Sequence, residues 1–200
     1  MKFTTAAIAI SVAALAAASP LKARQDEDNP DIIPLFWTSR LFTIAPGTDF
    51  DNKFLQAANG GLLIGLPDQG ASCGPEPRNY ATFVFGNNTL SLYTDNPPQQ
   101  FYTAPGGMGQ GNIRYTTGAE PLPSNSLREG FFIDDNGLLK LQFSPTGPVA
   151  GLQACPISPD APGQYKVWMD TFEHPAGQNC TKFEARVDND WNAEKCKYTE

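Results

Sequence analysis

From Ile32 almost to its end the chain is a series of short apolar runs broken by glycine, proline, asparagine and aspartate, and this punctuation limits the fold more than any other feature. Asn59-Gly60-Gly61, Gly86-Asn87-Asn88, Asp95-Asn96-Pro97-Pro98, Pro105-Gly106-Gly107 and Asp135-Asn136-Gly137 all supply residues that accept positive φ or preset a turn. With 18 Gly and 18 Pro in 200 residues, no run outside the N-terminal segment sustains a 3.6-residue period, so helix is rare. Candidate strands fall at 35–37, 41–44, 54–58, 62–66, 82–85, 89–94, 101–104, 113–117, 131–134 and 138–143. The strongest hairpin signal is Asn136-Gly137, set between Phe131-Phe132-Ile133 and Leu139-Lys140-Leu141. Many short strands with turn chemistry between them predict an all-β fold, a single-domain β-barrel or trefoil-like barrel over 32–200 with a β-sandwich as the alternative. The segments opening at Asn59 and at Asn136 both read Asn-Gly followed by a leucine-rich strand, an echo that hints at internal repetition.

The segment 151–187 carries two more strands. Tyr165, Val167 and Met169 alternate with Lys166, Trp168 and Asp170, and Phe183, Ala185 and Val187 alternate with Glu184, Arg186 and Asp188. Period two is the mark of half-buried strands. Cys155 stands before the first and Cys180 enters the second, so a bridge between them closes a two-strand unit through a Pro-Ala-Gly turn at 175–177. Of the three ways to pair four cysteines, Cys155–Cys180 with Cys73–Cys196 is therefore favoured. The first closes a short loop, worth roughly 3 kcal/mol by chain entropy, and the second pins the polar tail 188–200 onto the body.

The N-terminus explains why the cysteines are paired. Residues 1–18 hold a lysine, an apolar run and small residues ahead of Pro20, which is the pattern of a secretory signal peptide and is too short for a membrane span. Residues 19–31 are charged and aperiodic, a disordered acidic leader. A secreted chain with an even set of cysteines uses them as disulfides, and metal ligation is not expected. Loss of Lys2 with the signal leaves 13 basic against 21 acidic residues, a formal charge of −8, which excludes nucleic acid and anionic membrane as partners. No removable hydrophobic tail follows, so no lipid anchor is expected and the protein is read as a monomer, extracellular or in a cell wall. Asn87 and Asn179 open Asn-x-Thr sequons; Asn87 sits at a turn tip, whereas oxidation of Cys180 competes with glycosylation at Asn179.

Catalysis finds little support. The single histidine, His174, lies in a turn sequence, and no Gly-x-Ser-x-Gly elbow occurs. Glu76, Glu120, Glu129, Glu173, Glu184, Asp134 and Asp135 could pair as glycosidase carboxylates, but none sits in a signature and turn carboxylates are usually just solvated. Asp188-Asn189-Asp190 opens like a calcium loop, yet Ala193 stands where glycine is needed and Thr199 where glutamate belongs. The glycines at 107, 109 and 111 lack the third glycine of a dinucleotide loop and the lysine of a phosphate loop, so no cofactor is expected. Binding stays open. Of Trp37, Trp168 and Trp191, Trp168 shares its strand face with Lys166 and Asp170, away from the core side. With Tyr165 on the same strand, it is the candidate carbohydrate contact. The plainer alternative is that Trp168 fills a minor second core.

A family resemblance adds to this reading. Thr89-Leu90-Ser91-Leu92-Tyr93, Gln99-Gln100-Phe101-Tyr102, Gly109-Gln110-Gly111, Tyr115-Thr116, Gly137 with Leu139, and Ala154-Cys155-Pro156 followed by Tyr165-Lys166-Val167-Trp168 and Cys180 resemble the fungal phialide-associated cell wall proteins and their related IgE-binding allergens. The likeness runs from about 41 to 187. It implies a secreted, glycosylated, non-catalytic wall protein that supports wall integrity and spore-bearing cells, with wall polysaccharide as a partner and with Cys155 and Cys180 as the family's C-terminal pair. The acidic leader and the tail with Cys196 depart from the pattern. A secreted effector or carbohydrate-binding module is the rival reading, and a small glycoside-active enzyme the third.

Overall fold

The computed structural model describes residues 37–95, 97–104, 110–144, 146–171 and 179–200. The signal peptide and leader, most of the candidate strand at 35–37, the turn around His174 and the glycines at 106, 107 and 109 lie outside them.

The described residues form twelve strands and no helix. They are β1 (Thr38–Ile44), β2 (Leu55–Ala58), β3 (Gly61–Ile64), β4 (Thr82–Gly86), β5 (Thr89–Leu92), β6 (Gln99–Thr103), β7 (Ile113–Thr117), β8 (Phe131–Ile133), β9 (Leu139–Leu141), β10 (Leu152–Pro156), β11 (Tyr165–Met169) and β12 (Thr181–Asn189). Ten make one antiparallel sheet in the order β11-β10-β12-β1-β4-β5-β6-β7-β3-β2, and β8 with β9 makes a separate hairpin. The large sheet returns on itself. One edge of β3 pairs with β2; the other meets β7 at Gly61↔Arg114 and β11 at Leu63↔Lys166 and Ile64↔Tyr165. An isolated bridge, Asn112↔Trp168, joins the start of β7 directly to β11. This is the closure of a barrel, in which a strand edge that would otherwise lie open finds a partner.

Turn chemistry accounts for the hairpins. Asn59 and Gly60, at φ 51° and 65°, and Asn87 and Asn88, at 44° and 60°, put two adjacent residues at positive φ, as a two-residue type I′ turn requires. Asn136-Gly137 does something else. The Gly137 amide donates to the Asp134 carbonyl at 2.9 Å, the Asp134 carboxylate accepts from the amides of Asn136 and Leu138, and only Gly137 takes positive φ. That is a longer turn closed by glycine. The two echoing segments thus lie in different sheets with different turns, and the echo marks no repeated unit.

Residues 152–156 correct the expected two-strand unit. They form β10, which lies between β11 and β12, with Cys155 inside the strand and fully buried. Leu152, Gln153, Ala154 and Cys155 are all buried, so this strand has no period-two signal to read. The disulfides join Cys155 to Cys180 and Cys73 to Cys196.

One core cluster fills the interior. Phe101 is its aromatic centre, with ring centroids 5.9 Å from Phe83, 5.4 Å from Tyr115 and 6.5 Å from Phe131. Phe131 belongs to the small hairpin, which is thereby fastened to the large sheet. The C-terminal residues enter the same core. Tyr198 is 1 % exposed, its hydroxyl accepts from the Thr82 amide at 2.9 Å, and the Gln99 side chain brackets its backbone with two bonds of 2.9 Å. Burial pushes the Tyr198 hydroxyl up to about 12, eased by its bond from Thr82.

Candidate functional site

The site builds on the outward face of β11, where strand alternation leaves Lys166 and Trp168 after Val167 and Met169 have gone to the core. β10 holds this strand on one side, while β3 and the start of β7 hold it on the other. Trp168 therefore stands on a strand fixed along both edges. The Lys166 ammonium lies 5.3 Å from the centroid of its indole.

Arg114 reaches the same face from β7. It pairs with Gly61 of β3, and its Nε donates to the Gly60 carbonyl at 3.5 Å. Glycine at 60 makes room for the Arg114 guanidinium, and Gly61 lies in ordinary contact range of Lys166. A Cβ on Gly60 would come within 3.1 Å of the Arg114 guanidinium, and one on Gly61 would sit 3.7 Å from Lys166 Cε. Desolvation, and then the charge of Arg114, hold the Lys166 ammonium below its ordinary value. Among the described residues neither cation has a carboxylate partner. Beside them the buried Asn112 Oδ1 has no hydrogen-bond partner.

Tyr165 is not part of this face. Three residues from Trp168 along a strand, it points to the other side, where its ring packs 4.8 Å from that of Phe50 and its hydroxyl donates to Asp49 at 2.7 Å. That bond to a carboxylate pushes the hydroxyl up to about 12, with burial adding to it. Asp170 shares the face of Trp168 but is engaged, accepting from the Gly151 amide at 2.7 Å and lying 3.7 Å from Lys182.

Elsewhere an aromatic row that no single stretch of sequence announces runs through Phe42, Phe54 and Tyr80, with centroids 6.3 and 5.4 Å apart. Arg186, Arg40 and Arg78 lie over these rings at 4.2, 5.2 and 5.6 Å. Trp191, in the turn after β12, is 87 % exposed, the barest large apolar side chain among the described residues.

A family of secreted proteins, described as PhiA-like, matches residues 40–199, which take in most of β1, all of β2 through β12, both disulfides and the whole Trp168 face. The chain belongs to this family. It is similar to the cell wall protein phiA of Aspergillus fumigatus, 36 % identical over 163 residues that cover 80 % of this chain and 84 % of that one. The cell wall protein phiA of Aspergillus niger is 37 % identical over 162 residues with the same coverage, and that of Emericella nidulans is 33 % identical over 202 residues and the full length of both. No solved structure matches the chain.

Other candidates of this PhiA-like chain resolve into structural duties. Asp134 holds the β8–β9 turn, Glu184 lies 3.2 Å from Lys140, and Glu120 accepts from the Thr117 amide at 3.3 Å. Asp190, the second carboxylate of the calcium-like stretch, is buried and accepts from the Thr82 hydroxyl. The described residues hold no cluster of three or more histidine, cysteine or acidic side chains placed to bind a metal, and no helix long and apolar enough to cross a membrane. Asn87 is exposed at the tip of the β4–β5 hairpin, and the hydroxyl of Thr89 in the same sequon donates to the Gly86 carbonyl. Asn179 is also exposed, one residue before the bridged Cys180.

Proposed function

We propose that this PhiA-like protein is a non-catalytic constituent of the fungal cell wall, supporting wall integrity and the spore-bearing cells, and that it is retained there by contact between Trp168 and wall polysaccharide. The observation that carries the reading is the placement of an indole on the outer face of a strand held along both edges. A flat apolar ring presented at low conformational cost is what stacking against a pyranose needs. The similarity to proteins named for the cell wall supplies the setting. Asn87 carries a glycan in this reading, and the protein acts as a monomer.

The test is retention of the purified mature protein on washed fungal wall, chitin, β-glucan and mannan, with Trp168→Ala alongside. Binding to at least one polymer that falls on substitution supports the proposal. Free passage over all of them overturns it, and release of reducing sugar from any of them would overturn the non-catalytic part.

A further inference from the structure

Arg114 and Lys166, beside Trp168, are two cations brought together on the described surface without a carboxylate. The chain carries a formal charge of −7, so carboxylates are plentiful, yet Arg114 and Lys166 flank Gly61 without one. The neighbouring Glu200 acts on Tyr115 but forms no ion pair with either cation. Two like charges kept together, one of them partly desolvated, cost stability unless an anion joins them. A Cβ on Gly60 would stand 3.1 Å from the Arg114 guanidinium, so glycine there leaves room for that cation on this face. A guanidinium presents a planar fork that fits a phosphate or carboxylate, and an ammonium adds a point charge from the side. Trp168 supplies an apolar face within reach of that ammonium, and Asn112 adds an unused polar atom at its edge.

We propose that Arg114, Lys166 and Trp168 form a binding site for an anionic sugar, a pyranose bearing a phosphate or carboxylate group. This rests on the reading of Trp168 as a polysaccharide contact and adds the chemical class of the polymer. The ring stacks on the indole while the two cations take the charged substituent.

The experiment compares retention of the full mature protein on immobilised phosphomannan and polygalacturonate with retention on neutral mannan and β-glucan. The double variant Arg114→Gln, Lys166→Gln and the single variant Trp168→Ala are run beside it. Charge-assisted bonds of this kind predict about tenfold or greater preference for at least one anionic polymer, lost in the double variant and weakened by added salt. Whichever anionic polymer is retained identifies phosphate or carboxylate as the group recognised. Equal binding to charged and neutral polymers, unchanged in the double variant, overturns the anionic site while leaving the Trp168 contact intact. Binding to none of the four overturns both. Matching thermal melts of the variants and the parent show that lost retention is not lost folding, and Arg114→Lys, which keeps the charge, is expected to retain part of the preference.

Discussion

Arg78 and Lys166 each lie against an aromatic ring, but only Arg78 is also held by carboxylates. It stands 3.6 Å from both Asp190 and Glu194, and Arg40, over the next ring of that row, is 2.8 Å from Asp188. Among the described residues, Lys166 and Arg114 have each other, the indole and a backbone carbonyl, and no carboxylate. The Arg40 and Arg78 part of the row is therefore finished, its cations already given carboxylates, whereas Arg186 over Phe42 has none among the described residues. The Trp168 face is electrostatically incomplete. Between Arg78 and Lys166, each against an aromatic ring, what differs is the presence or absence of the counter-charge.

Breaking the finished region gives the largest effect. Asp190→Ala removes a nearly buried carboxylate that accepts from the Thr82 hydroxyl and faces Arg78, and is expected to lower the unfolding free energy by about 3 kcal/mol in urea titrations. The incomplete region responds with the opposite sign. Lys166 is held below its ordinary value, so its charged form is disfavoured in the folded state, and Lys166→Met is expected to stabilise the protein at pH 7 by up to about 1 kcal/mol. The sign of the pH dependence follows. The parent gains stability as pH rises through the lowered folded value towards the ordinary lysine range, so the advantage of Lys166→Met shrinks as unfolding is measured at increasing pH. A constant advantage would mean that charge is not its cause. Smallest of all, Arg40→Ala breaks a solvent-exposed pair, and thermal melts are expected to record no more than about 1 kcal/mol, less in high salt.

The contrast also shows what was legible in the chain. Parity along 165–169 separated Val167 and Met169 from Trp168, because the side-chain period of a strand is local information. The same parity places Tyr165 with the core residues, as its contact with Phe50 shows. Asn-Gly located two hairpins while leaving open which turn each would make. Closure of the sheet through β3 could not be read, since it depends on one four-residue strand meeting β7 and β11 on the same edge across large sequence separations. For the same reason Gly60 read only as turn chemistry, although a Cβ there would meet the Arg114 guanidinium at 3.1 Å. Phe42, Phe54 and Tyr80 are apart in sequence and join only through the fold. Tyr198 was hidden by its setting, one aromatic in a polar tail whose burial depends on Gln99 and Thr82 far upstream.

That tail sets an order of assembly. The first described strand, β1, pairs with β12, and Cys73 is bridged to Cys196 at a sequence separation of 123. Thr199 then accepts from the Gly60 amide and the Tyr115 hydroxyl, tying the final residues to both the β2–β3 turn and β7. Synthesis runs from β1 towards β12, so β1 and Cys73 are made before the strand and the cysteine they pair with, and native pairing around the sheet waits for β12.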